Sequence, residues 1–232
     1  GGLADVVGSL PKYIDRQYFD VRVVLPKYKC MSQEMKDRME YVTNFYMDFH
    51  WKREYVGIFK AEADGVIYYF IDNEFYFAGF KPYSDDALFE IEKFAFFSKT
   101  ALSILPVIDF KPDIIHCHDW QTGLIPVYLK ERFQGNEFFR GMKAVMTIHN
   151  LKFQGRWDKK EVQDITGLPD YFFVPDKLEM FGDADLLKGG IVYADAITTV
   201  SETYAEEIKT KFYGENLDGL LTTRAKDLRG IV

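Results

Sequence analysis

From residue 113 onward the chain alternates short apolar runs with stretches of helical character, and this alternation limits its fold more than any other feature. DIIHC (113–117) reads as a strand, 120–133 as a helix, KAVMTI (143–148) as a strand, 186–194 as a helix and AITTV (196–200) as a strand. A further helix follows, with Ser201 placed to cap it. Apolar strands separated by helices predict a doubly wound parallel α/β sheet covered on both faces. Upstream, DVRVVLP (20–26) is a compact β-rich run closed by Pro26, residues 30–40 permit a helix, and 86–105 carry a helical stripe at Leu88, Ile91, Ala95, Leu102 and Leu105. YVTNFYMDF (41–49), YVGIFKAEA (55–63) and VIYYFID (66–72) are rich in β-branched and aromatic residues, and the last two flank Asp64-Gly65, a hairpin-turn pair. This predicts an antiparallel hairpin insertion in an otherwise alternating chain.

In open α/β sheets ligands collect at the carboxyl ends of the strands. Three polar clusters fall there: His116-Cys117-His118-Asp119, His149-Asn150 and Thr199-Val200-Ser201. His116 and His118 alternate about Cys117, so both imidazoles point to one face of a strand. With Asp119 the spacing resembles a metal-ligand set; the other reading has the histidines as hydrogen-bonded fillers and Asp119 as the N-cap of the helix from Trp120. His149-Asn150 is equally a plain turn, since Asn tolerates left-handed backbone. Trp120 and Trp157 read as packing residues.

The chain opens on GGLADVVGSLPK. Gly1 and Gly2 let backbone approach a ligand closely, and a helix start behind them aims free N–H groups at an anion such as a diphosphate. Asp5 falls in the first turn, where the helix dipole favours a carboxylate. The net charge of −7 argues against nucleic acid as a main partner, so an anionic substrate must be gripped by such local features. Hydrophobic residues at 47% and aromatics at 17% exclude disorder. Two cysteines, Cys30 and Cys117, are too few for a disulfide framework and fit the cytoplasm, and no apolar run reaches membrane-spanning length. The chain lacks G-x-x-x-x-G-K-[ST], and no G-x-G-x-x-G follows a strand, which weakens kinase and dehydrogenase readings.

The opening run resembles the Lys-x-Gly-Gly-Leu-Ala-Asp signature of bacterial glycogen synthases and plant starch synthases. DIIHCHDWQTGLIPVYL (113–129), TIHNLKFQG (147–155) and TTVSETYAEEI (198–208) match further family blocks in family order. The family's phosphate-binding Lys, two residues before Gly1, has no counterpart in the sequence, nor does the second domain that follows the position of Val232. The resemblance implies that residues 1–232 are the N-terminal, Rossmann-like half of a two-domain GT-B glycosyltransferase, with the first strand and the C-terminal domain outside them. It implies a retaining transfer of glucose from ADP-glucose to the non-reducing end of an α-1,4-glucan, with no cofactor and no catalytic metal. It places His149 against the donor glucose, Asp119 near the reacting carbon and Asp5 in the cleft. Gly1, Gly2, His118, Asn150 and Gln154 become substrate-binding residues, and Tyr83, in the polar loop PYSDD, a sugar-stacking one. The 232 residues alone are expected to transfer no glucose. Two alternatives stand beside this reading: a metal-dependent hydrolase built on His116, His118, Asp119 and His149, and a non-catalytic glucan-binding domain.

Overall fold

The computed structural model describes residues 2–79 and 81–232, the side chains of residues 2–7 excepted. Two compact units, residues 1–93 and 94–232, divide the chain within one long helix.

In the first unit, helix α1 (Gly2–Tyr13) is followed by strand β1 (Arg22–Pro26) and a short helix α2 (Gln33–Arg38) capped by Ser32. Strands β2 (Glu40–Phe49), β3 (Lys52–Ala63) and β4 (Val66–Asp72) form an antiparallel meander. Asp64 and Gly65 join the last two with φ of +54° and +77°, the double left-handed turn that matches strand twist and that their identity predicts. β1 pairs parallel with the far edge of β4, giving the order β1-β4-β3-β2. Val56, Ile58, Val66, Phe70 and Ile71 supply its core. A single turn, α3 (Glu74–Phe77), leads towards helix α4 (Ala87–Val107). The predicted stripe on α4 is too narrow: Phe94, Phe96 and Phe97 are buried beside Ile91, Ala95, Leu102 and Leu105.

The second unit is built on a parallel sheet, β11-β10-β6-β5. Its strands are β5 (Ile114–His118), β6 (Lys143–Ile148), β10 (Ala196–Thr199) and β11 (Leu228–Gly230). Between β5 and β6 the chain forms helix α5 (Leu124–Tyr128). Between β6 and β10 lie a small antiparallel sheet of β7 (Arg156–Asp158), β8 (Glu179–Met180) and β9 (Asp183–Asp185), and helices α6 (Lys159–Thr166) and α7 (Leu186–Tyr193). Helices α8 (Glu202–Glu207) and α9 (Asp218–Thr223) precede β11. Ser201 caps α8 as expected, accepting from the Tyr204 N–H at 3.0 Å.

The helix read over 120–133 is three pieces: a 3-10 turn at Trp120–Thr122, α5, and a wide π turn at Leu129–Phe133. The tight first turn follows from Thr122, whose hydroxyl accepts from the His118 N–H at 2.7 Å and donates to the His118 carbonyl at 2.9 Å, tying the turn to the strand end. Gly123 lets the next turn touch α7; a Cβ there would stand 2.2 Å from the Leu186 carbonyl oxygen. One face of the sheet, Cys117, Ala144, Met146, Ile148 and Ile197, is fully buried, and Gly190 of α7 lies against Met146. The opposite face carries His116, His118, Thr147 and Thr198. Period-two alternation separates the two sets.

Candidate active site at the sheet rim

The parallel register lines up His118 of β5 with Thr147 of β6, and Thr147 with Thr198 of β10. A polar row therefore crosses the sheet near its carboxyl edge. The His116 and His118 rings share one face as predicted, with centroids 4.3 Å apart. His116 Nε2 hydrogen-bonds Thr147 Oγ1 at 2.6 Å, and Thr147 Oγ1 meets Thr198 Oγ1 at 2.5 Å. Immediately past the end of β6, His149 Nε2 lies 3.0 Å from His118 Nδ1, so one of these nitrogens donates and the other accepts. Burial, then the neighbouring His116 and His149, lower the pKa of His118 to about 3. Cys117, between the two histidines, is fully buried, and burial pushes its thiol well above the usual range, so it is no nucleophile.

Asp119 departs from the capping role weighed for it. Its side chain makes no cap bond to the turn that follows. It reaches across to the end of β6, where Oδ1 accepts from the His149 N–H at 2.7 Å and from the Asn150 N–H at 3.4 Å. To do so Asp119 takes φ +57° and ψ −170°, a combination close to one reserved for glycine that costs on the order of 1–3 kcal/mol. Burial raises its pKa, and the two backbone hydrogen bonds and His149 oppose that rise.

The segment after His149 is tied down along its length. Asn150 Oδ1 accepts from the Lys152 N–H at 3.1 Å, a local turn, while the exposed residue stays at the rim. The Leu151 N–H donates to Tyr204 Oη at 3.2 Å. Gln154 Nε2 donates to the carbonyls of Leu151 at 3.0 Å and Glu215 at 2.9 Å, so its amide nitrogen bridges two loops. Gly155 has φ +64°, and the Trp120 ring lies over it; a Cβ there would stand 2.3 Å from Trp120 Cε3. Trp120 itself packs edge-on against Phe94 at 5.4 Å, the packing role expected of it. Asp185, fully buried, caps α7 by accepting from the Lys188 N–H at 2.8 Å, and burial raises its pKa to about 7.

The rim thus gathers His116, His118, Asp119, His149, Asn150 and Gln154 in one unit. Among the described residues no three His, Cys, Asp or Glu side chains converge as ligands for a metal ion. His118 and His149 bond to each other, and Asp119 bonds backbone amides. Sequence reading missed Thr147, Thr198, Thr122 and Tyr204. The signal for Thr147 is present: it sits two residues before His149, on a strand whose alternate residues share a face.

The remaining expected residues belong to the first unit. Gly1 and the side chain of Asp5 lie outside the described residues, and Gly2 begins α1. Tyr83 is half-exposed on a loop held by a buried ion pair. Lys93 Nζ donates to Glu90 Oε1 and to the Pro82 carbonyl, each at 2.7 Å, and Glu90 Oε1 accepts from the Ser84 N–H at 2.8 Å.

The starch synthase catalytic domain family matches residues 1–223. The chain belongs to this family. Among its curated relatives, the glycogen synthase of Lachnospira eligens is 67% identical over all of this chain and 48% of that protein, and that of Lachnoclostridium phytofermentans is 62% identical with the same coverage. The catalytic domain of starch synthase IV from Arabidopsis thaliana, bound to ADP and acarbose, superposes with a TM-score of 0.92 at 30% identity, over all of this chain and 48% of that one. This starch synthase family chain therefore spans about half the length of the curated relatives it matches, and its fold is that of part of a GT-B catalytic domain. No helix among the described residues is long and apolar enough to cross a membrane.

The half-buried His118 gives this family member a signature in stability. A folded-state pKa near 3 against an unfolded value near 6.5 means the unfolded chain takes up a proton the folded site refuses. The contribution of His118 is present above pH 6.5 and is lost as pH falls towards 3. Asp185, raised from 3.8 to about 7, runs the other way: its contribution is present below 3.8 and lost as pH rises to 7. His118→Asn removes only the first. Urea unfolding between pH 6.5 and 3 should show the variant gaining on the parent as pH falls, by up to about 1.4 kcal/mol per pH unit. Parallel curves for variant and parent would contradict a neutral His118 in the folded site.

Proposed function

We propose that the full-length protein carrying this chain is a retaining glucosyltransferase of glycogen synthesis in the cytoplasm, moving glucose from ADP-glucose to the 4-hydroxyl at the non-reducing end of an α-1,4-glucan. The observation that carries the reading is His149, held at the carboxyl rim of a parallel sheet beside Asp119, in a chain the starch synthase family matches. ADP, which the Arabidopsis neighbour binds, is the leaving group of such a donor.

The bond from the anomeric carbon to the diphosphate breaks, and a bond from that carbon to the acceptor oxygen forms. The departing phosphate takes the acceptor's proton, so the chain supplies no separate base. The backbone amides at Gly2, with the N-terminal dipole of α1, stabilise the negative charge that grows on the diphosphate. Asp5, Asp119 and His149 orient the sugars and favour positive character at the anomeric carbon. His118, Asn150 and Gln154 line the same rim, and Tyr83 offers a ring face to a glucan. The test is a time course in which the full-length protein releases one ADP for each glucose added to maltoheptaose. ADP release without elongation would overturn the proposal in favour of hydrolysis.

A further inference from the structure

Asp119 combines three observations that a residue touching only substrate does not require. It is buried, its backbone lies at φ +57° and ψ −170° where glycine is the usual occupant, and Oδ1 is spent on the amides of His149 and Asn150. A glycine at this position would relax the backbone, so the strain is retained for the carboxylate. That carboxylate spans the gap between the end of β5 and the end of β6. At the other end of the same residue, the His149 ring is held by His118 at 3.0 Å. His149 is thereby fixed at its peptide by Asp119 and at its ring by His118.

We propose that Asp119 is a positioning residue that acts through His149, and that what it supplies is a hydrogen-bond acceptor for the 149–150 peptides; its charge at the reacting carbon is secondary. The inference rests on the proposed glucosyl transfer for its kinetic arm only. Two substitutions separate acceptor from charge. Asp119→Asn keeps an Oδ1 acceptor and tolerates positive φ, whereas Asp119→Gly removes the acceptor without straining the backbone.

The experiment pairs amide hydrogen exchange with transfer kinetics on the full-length protein. Exchange at His149 and Asn150 should stay within about threefold of the parent in Asp119→Asn and quicken at least about tenfold in Asp119→Gly. kcat should follow, falling less than about tenfold in the first and about 100-fold in the second, the penalty expected of a displaced catalytic group. Unchanged exchange in Asp119→Gly would overturn the hold. Protected amides in Asp119→Asn together with a kcat as low as that of Asp119→Gly would overturn the acceptor role and assign the effect to charge. A parent that transfers no glucose would refute the proposed function and leave the exchange arm to decide the hold.

Discussion

Replacing His149 by alanine in the full-length protein should lower kcat by about 10² to 10³-fold while changing KM for donor and acceptor by no more than about threefold. The expectation comes from how much structure is spent on one imidazole. The peptide of His149 donates to Asp119, its ring shares a hydrogen bond with His118, and the next peptide but one is tied to Tyr204. Preorganisation of this kind matters most for an interaction that strengthens as charge develops, because the group then needs no reorganisation at the moment of reaction. A group used equally in ground state and transition state would raise KM and spare kcat. Steady-state kinetics on a variant whose thermal unfolding matches the parent makes the check. A variant that keeps most of its kcat would return His149 to the role of a turn residue.

The second large effect is structural and falls six residues on. Gly155→Ala should destabilise the protein by about 2–5 kcal/mol. Two penalties combine. A φ of +64° costs any L side chain about 1–2 kcal/mol, and a Cβ placed 2.3 Å from Trp120 must push a ring that is itself wedged against Phe94. The carbonyls of Gln154 and Gly155 also accept from the first amides of α7, so the segment cannot move away freely. Denaturant unfolding monitored by tryptophan fluorescence measures the loss, and the double variant Gly155→Ala/Trp120→Leu should recover part of it. A Gly155→Ala protein as stable as the parent would show that the ring is not wedged.

Much of this arrangement was legible in the sequence because it depends on period and on turn chemistry. Strand and helix alternation placed β5, β6 and β10, and Asp64-Gly65 announced its own turn. Alternation about Cys117 put both histidines on one face, and the rule that ligands gather at carboxyl strand ends located the rim. What was not legible depends on register and on contacts distant in sequence. Thr147 and Thr198 become partners only when β6 and β10 are aligned residue by residue, 51 positions apart. The strain at Asp119 is invisible to propensity, since Asp before a helical run argues for a cap; its carboxylate found better donors 30 residues away in the His149 turn. The helix over 120–133 broke for a similar reason, as Thr122 turned its hydroxyl to the end of β5.

An α-retaining glucosyl transfer at this rim leaves its mark in the linkage that the full-length protein makes. With ADP-glucose labelled at the anomeric carbon and maltoheptaose as acceptor, the new anomeric proton should show the α configuration at the non-reducing end, and the His149→Ala protein should form it at least about 100-fold more slowly. A β linkage, free labelled glucose in place of a longer chain, or an undiminished rate in the variant would exclude an α-retaining transfer that depends on His149.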